Sequence, residues 1–351
     1  MRKTIAILPG DGIGPEIIEQ AIKVLKIVGT KFNHEFVFEY GLIGAIAIDK
    51  TGNPLPNETL KLCKSTDAIL FGAIGDPKYD NDPSAKIRPE QGLLKLRKSL
   101  DLYVNVRPIR VFEKLKSKSP LKGEILEGVD FVVVRELIGG IYFGKRGRRK
   151  NGTVAYDTST YSKAEIERVA KFAFELVLTR KKHITVVDKA NVLETSRLWR
   201  ETIQEQSKQY NNVTIEFMFV DNAAMQIIKK PSSFDVILTE NMFGDILTDE
   251  ASVITGSIGM LPSASIGAKT SLYEPIHGSY PKAKGLNTAN PIGTILSAAM
   301  MLEYSFGLIK EAKSIENAVE KAINLGFGTK DIVSNNPLGT SELGTKIASL
   351  I

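Results

Sequence analysis

The 351-residue chain has a single cysteine, Cys63, and only three histidines, His34, His183 and His277. One thiol excludes an intrachain disulfide framework, and so few sulfur and imidazole donors exclude a conventional His/Cys zinc centre. Any metal here is expected to be oxygen-bound. No stretch approaches the ~20 consecutive apolar residues of a membrane span. The opening MRKTIAILPGDG holds only a short apolar run before Pro9, Gly10 and Asp11 interrupt it, too little for a signal-peptide core. A soluble, cytoplasmic protein with no membrane partner is expected. Internal repeats and low-complexity tracts are also missing.

Hydrophobic residues make up 43% and charged residues 25% of the chain, proportions of a globular protein long enough for one large α/β domain or two ordinary ones. The net charge of +6 raises the question of nucleic acid. Lysines are scattered, however, and the one dense run, GKRGRRKNG at 144–152, is short, glycine-broken and free of aromatic residues. It suits a solvated loop better than a nucleic-acid surface, and no nucleic-acid partner is expected. Basic character also suits small anionic substrates.

Short apolar runs alternate with longer amphipathic ones. Residues 4–8, 67–74, 129–137, 183–189, 213–221 and 234–241 read as strands, several apolar on both faces as in a buried α/β sheet. Helices are predicted over 15–28, with Pro15 in the first turn; over 162–180, opened by a Ser162/Glu165 capping box; and over 291–306, apolar nearly all round. This alternation predicts a layered α/β architecture. The basic, glycine-rich 139–152 looks like a hairpin or arm leaving the core, and 262–290 like a long binding loop. ILPGDGIGPE (7–16) spaces its glycines as G-x-G-x-G, which is wrong for a dinucleotide fingerprint but sound for a tight strand-to-helix turn.

NMFGDILTDEAS (241–252) places Asp245 and Asp249 four residues apart at the start of a predicted helix. Four residues return to nearly the same face about 6 Å along the axis, where like charges repel. A hard divalent cation, Mg²⁺ or Mn²⁺, would make that arrangement favourable; acids favoured near a helix N-terminus are the plainer alternative. Arg97, Arg107 and Arg135 fall near expected strand ends, where planar guanidinium forks suit carboxylates. Arg107 precedes Pro108, which pushes it toward extended backbone. Tyr142, Lys189 and Asp221 join the candidates, the last two at strand C-termini, where α/β folds place their chemistry.

GDGIGPE, IRPEQGLLKLRK, RELIGGIYFG, VDKANVLETSRLWR, NMFGDILTDEAS, GSIGMLPSAS and EPIHGSYPKAKGLNTANPIGTILSAAMML together resemble the β-decarboxylating dehydrogenase family of isocitrate and isopropylmalate dehydrogenases. The likeness covers essentially the whole chain. It implies a three-layer α/β/α fold with a large mixed, non-Rossmann sheet and two domains, one from 1–101 with 257–351 and one from 102–256. It further implies oxidation of 3-isopropylmalate at its hydroxyl-bearing carbon and loss of CO₂, a step of leucine biosynthesis. Arg97, Arg107 and Arg135 would hold the malate carboxylates, and Asp221, Asp245 and Asp249 would hold Mg²⁺ or Mn²⁺, Asp221 also touching substrate. Lys189 would be the base and Tyr142 the acid. In this family Lys189 and Asp221 reach the site from the partner subunit, which implies a homodimer with shared active sites and the basic excursion as its arm.

Isocitrate dehydrogenases share the arginines and aspartates, so substrate choice rests on PEQGLLKLR. Leu93 and Leu94 stand where isocitrate's extra carboxylate would need a donor. Burying an isopropyl group there gains roughly 2 kcal/mol, whereas stranding a carboxylate against leucines costs several; both leucines also suit a helix's core face. Homoisocitrate, isocitrate or tartrate dehydrogenase, or a non-catalytic regulatory subunit, are the alternatives. The resemblance implies cofactor contacts at His277, Gly278, Ser279 and Asn290, with Glu90 facing the nicotinamide ribose. Lys282 replaces the Asp usual in NAD-preferring relatives and could attract a 2′-phosphate, yet the tyrosine that accompanies such a lysine in NADP enzymes is Ala283 here. NAD is the expected cofactor.

Overall fold

The structure, a computed structural model, describes residues 1–81 and 86–351. Its strands are β1 (Arg2–Gly10), β2 (Glu35–Tyr40), β3 (Ala68–Ala73), β4 (Leu102–Arg110), β5 (Asp130–Glu136), β6 (Arg146–Arg149), β7 (Val154–Asp157), β8 (His183–Asp188), β9 (Thr214–Phe219), β10 (Val236–Thr239), β11 (Pro262–Gly267) and β12 (Leu272–Pro275). The chain divides into two compact units, Met1–Leu102 with Ser257–Ile351, and Tyr103–Gly256.

In the first unit the strand order is β2-β1-β3-β12-β11. All neighbours run parallel except β11 and β12, so the sheet is mixed. Ile5, Ile7, Leu8, Ile69 and Leu70 are fully buried within it. The helix Gly14–Phe32, with Pro15 in its first turn, buries Ile17, Ala21, Val24, Leu25 and Val28, an i, i+4, i+7 stripe facing the core. The helix Ile292–Tyr304 starts just after Pro291 and is buried on nearly every side, as its composition predicts.

The second unit has the order β4-β5-β10-β8-β9. Here β4 is antiparallel to β5 and the other pairs are parallel. Its helix Lys163–Leu178 is opened by the expected reciprocal cap, Ser162 N–H donating to Glu165 Oε2 at 2.8 Å and Glu165 N–H to Ser162 Oγ at 3.3 Å. The basic excursion is an antiparallel hairpin of β6 and β7 with exposed side chains. Arg149 lies 4.6 Å from the Tyr156 ring centroid.

Three expectations change. Residues 262–290 do not form one long loop, because 262–275 holds the β11/β12 pair, whose residues are mostly buried. Their Pro, Ser, Ala and Gly content hides strands that burial and ladder bonds make stable. Asp221 does not end a strand: β9 stops at Phe219, and Asp221 is the second residue of the helix Val220–Lys229, an acid in a first turn where the helix dipole favours it. Arg97 lies in the helix Pro89–Ser99 rather than at a strand end, since Pro89 at N1 and the apolar 93/96 spacing start and bury a helix there. No helix among the described residues is long and apolar enough to cross a membrane.

Candidate active site

In the second unit the β4/β5 register places Asn105 opposite Arg135. Arg107, two residues from Asn105, therefore projects from the same face as Arg135. The helix Asn241–Ile254 follows β10, the neighbour of β5, and brings Asp245 and Asp249 to that face. Arg135, 2% exposed, donates through Nη1 to Asp245. Arg107 Nη2 lies 3.7 Å from Asp245, and its Nη1 lies 3.9 Å from Asp249. Arg107 is aimed by Asn105, which accepts from Nε at 2.7 Å, and by Thr248, whose hydroxyl accepts from Nη1 at 2.5 Å.

Tyr142 closes the cluster, donating its hydroxyl to Asp245 Oδ2 at 2.8 Å beneath the Arg135 guanidinium, 5.8 Å from the ring centroid. Two carboxylates that would repel alone thus face two guanidinium groups. Burial pushes the Asp245 carboxyl up, but Arg135 and Arg107, with the Tyr142 hydrogen bond, outweigh it and hold it below the usual range. Asp249 lies farther from the arginines, so burial prevails and raises it. Burial and the bond to Asp245 push the Tyr142 phenol up to about 12, so it stays protonated well beyond neutral pH.

Gly244 packs on the stem of Arg135: a Cβ there would fall 2.7 Å from Arg135 Cγ. Only a residue without a side chain lets the helix approach so closely. Lys189 and Asp221 pair with each other, Nζ to Oδ1, at 2.6 Å. That hydrogen bond holds the Asp221 carboxyl below its ordinary value. No three His, Cys, Asp or Glu side chains among the described residues of one chain converge as metal ligands, so Asp221 does not join Asp245 and Asp249 within a single chain.

In the first unit, Arg97 Nη2 donates to Glu274 at 2.8 Å in a mostly buried pair. Leu93 is 8% exposed and Leu94 half-buried. Glu90 lies beside Gly75. The front turn is built as its glycines require. Gly12 adopts φ +56°, and a Cβ there would fall 1.9 Å from the Ser279 carbonyl, which accepts the Ile13 N–H at 2.8 Å. Ser279 thereby acts through its backbone.

Beside this turn lies a cleft of about 500 Å³ lined by Ile13, Ser257, Ile258, Gly259, His277, Gly278, Tyr280, Thr288, Ala289, Asn290, Lys330 and Asp331. His277 Nδ1 lies 2.9 Å from the Gly278 carbonyl, while Nε2 is shielded from solvent and unpartnered. Burial lowers the imidazole's pKa. Asn290 is committed, its Nδ2 donating to Asp331 at 2.9 Å and its Oδ1 accepting from Ile292 N–H at 3.0 Å. Lys282 is exposed and outside the lining. Ile13, Asp331 and Asn241 carry no mark in the sequence that sets them apart as candidates. Asn241 stands inside the quoted acidic motif, but only its contacts distinguish it, and Asp331 carries no local signal.

The isocitrate/isopropylmalate dehydrogenase family profile matches residues 4–347. The 3-isopropylmalate dehydrogenase of Geobacillus kaustophilus is 56% identical, covering 99% of this chain and 95% of its own. That of Bacillus subtilis is 54% identical over 99% and 96%. Among solved structures, isocitrate dehydrogenase from Methylococcus capsulatus superposes with a TM-score of 0.90 at 32% identity, covering 99% of both chains. A β-decarboxylating dehydrogenase from Thermococcus kodakarensis gives 0.81 at 35%, over 99% and 96%. With a family profile spanning nearly the whole chain and relatives this similar over nearly their full length, the chain belongs to the isocitrate/isopropylmalate dehydrogenase family.

Proposed function

We propose that the protein oxidises 3-isopropylmalate at its hydroxyl-bearing carbon and releases CO₂, giving 4-methyl-2-oxopentanoate for leucine biosynthesis, with NAD as hydride acceptor and Mg²⁺ or Mn²⁺ bound. The observation that carries this is the cluster of Arg107, Arg135, Tyr142, Asp245 and Asp249, two buried guanidinium groups beside two carboxylates and a protonated phenol. Identities of 54–56% to 3-isopropylmalate dehydrogenases favour the branched alkyl substrate, as do Leu93 and Leu94.

Arg97, Arg107 and Arg135 bind the substrate carboxylates and orient the hydroxyl-bearing carbon. Lys189 accepts the hydroxyl proton as hydride leaves that carbon, and Tyr142 returns a proton to the carbon that has lost CO₂. The donor set suits a hard cation, since Asp245 and Asp249 offer oxygens only and the Asp249 side chain is 68% exposed. Asp245 and Asp249, with Asp221 of a second subunit, would hold it. When bound, such an ion acts as a Lewis acid at the substrate oxygen. The cleft beside the front turn suits an adenosine, apolar at Ile13 and Ala289 and with the unpartnered His277 Nε2; Gly278 and Asn290 border it, with Glu90 and Lys282 expected nearer the two riboses.

A homodimer accounts for Lys189 and Asp221 standing apart from the two other aspartates. Its support is the packed helix pair Val220–Lys229 and Asn241–Ile254, which leaves Met225, Ile246 and Val253 more than half exposed. Such apolar surface is expected to be covered. The test is a panel of 2-hydroxy acids assayed with NAD and NADP, before and after chelation of divalent metal. Turnover of 3-isopropylmalate with NAD, lost on chelation, is expected. Preference for isocitrate would move the substrate, and preference for NADP would overturn the cofactor.

A further inference from the structure

We propose that Asn241 is a positioning residue that couples the aim of Arg135 to the placement of Tyr142, an inference that rests on the roles given to those two residues above. Asn241 opens the helix Asn241–Ile254 and is fully buried. Its Oδ1 accepts from two nitrogens of one guanidinium, Arg135 Nε at 3.0 Å and Nη2 at 2.8 Å. Arg135 Nη1 is thereby left to reach Asp245. On the other side, Asn241 Nδ2 donates to the Gly139 carbonyl at 3.0 Å. The amide's orientation is unambiguous, because a guanidinium only donates and a carbonyl only accepts.

Gly139 precedes the turn Gly140–Tyr142 that carries the phenol. The same turn is tied down by Glu136, which accepts from Ile138 and Gly139 N–H at 3.0 and 2.8 Å, and by Gly140 N–H donating to the Thr160 carbonyl at 3.1 Å. Asn241 is itself anchored, its backbone N–H donating to the Tyr161 hydroxyl at 2.9 Å. One buried amide therefore sets both the direction of a carboxylate-binding guanidinium and the start of the segment that delivers a proton. Functional groups held this way lose rate when their support shifts by about an ångström.

The two halves of the amide can be separated chemically. Asn241→Asp keeps an acceptor for Arg135 but sets an oxygen against the Gly139 carbonyl. Asn241→Ala removes both contacts, with Asn241→Ser as its replacement should alanine prevent folding. With 3-isopropylmalate as substrate, the Asp variant, whose added charge also competes for Arg135, should lose tenfold or more in kcat, on the order of one or two lost hydrogen bonds. The Ala or Ser variant should raise KM about tenfold as well. If every variant shows wild-type KM, with kcat falling only in proportion to the folded fraction measured by circular dichroism, Asn241 is merely structural and the inference is wrong. A wild-type protein that does not turn over 3-isopropylmalate overturns the function itself, a result distinct from wild-type turnover with indifferent variants.

Discussion

Gly244→Ala tests whether the helix carrying the aspartates holds Arg135 in place by contact. In an ordinary helix interior alanine is favoured over glycine by about 1 kcal/mol. At this position an added Cβ would come within 2.7 Å of Arg135 Cγ, 2.8 Å of Arg135 Cβ and 3.0 Å of Thr239 Cγ2. The arginine stem cannot swing aside: its Cβ is fixed to strand β5, the residue is 2% exposed, and its guanidinium is held by Asn241 and Asp245. Overpacking a tight site costs about 1–3 kcal/mol, which more than cancels the helix-propensity gain and leaves a net loss of about 1 kcal/mol. The same collision displaces the guanidinium, so KM for the 2-hydroxy acid should rise, tenfold for each ~1.4 kcal/mol of binding lost. Urea unfolding at matched slopes reads the first effect and steady-state kinetics the second. A variant more stable than wild type with unchanged KM would refute the reasoning, since it would mean that Arg135 has room to yield.

Asp245→Asn should abolish metal-dependent turnover with the circular dichroism spectrum intact, because an amide keeps an acceptor for Arg135 but removes the charge; full activity would count heavily against the site. Leu93→Ser should turn preference away from the branched substrate and, from a position only 8% exposed, also cost about 2–4 kcal/mol of stability. Leu94→Ser, at a half-buried position, should shift the ratio of kcat/KM for 3-isopropylmalate over isocitrate at a smaller cost, and unchanged ratios in both would reduce the leucines to packing. Glu240→Gln addresses pH. Burial, partly offset by the Ser196 hydroxyl, raises Glu240 from 4.5 to about 7. A folded-state pKa above the unfolded one gives stability that is complete below about 4.5 and lost as pH rises through about 7. The variant should therefore flatten the decline of stability between about pH 4.5 and 7 by up to one proton's worth, ~1.4 kcal/mol per pH unit. An unaltered slope in urea titrations across that range would exclude Glu240 as its source.

The sequence by itself determined most of the local structure. Pro15, the Ser162/Glu165 box and Pro291 mark helix starts because their effects reach only a turn in either direction. Runs such as 129–137 and 183–189 read as strands because burial on both faces leaves an apolar imprint. Arg107, Arg135, Tyr142, Asp245 and Asp249 could be singled out by residue type and by their place in long motifs. Strands β11 and β12 could not be seen, since Ser263, Ala264 and Ser265 owe their extended form to ladder partners rather than to their own preferences.

Tertiary structure alone decided what each polar side chain does. Arg135 and Asn241 are 106 residues apart in the chain, yet one amide fixes the guanidinium. Asn290 spends its amide on Asp331 and on the Ile292 N–H, and Ser279 contributes its carbonyl rather than its hydroxyl to the front turn. Hydrogen bonds act over about 3 Å with strict direction, so their partners depend on how strands and helices meet. Hydrophobic pattern and caps act along the chain and can be read there; the pairing of buried polar groups acts across it and exists only in the fold.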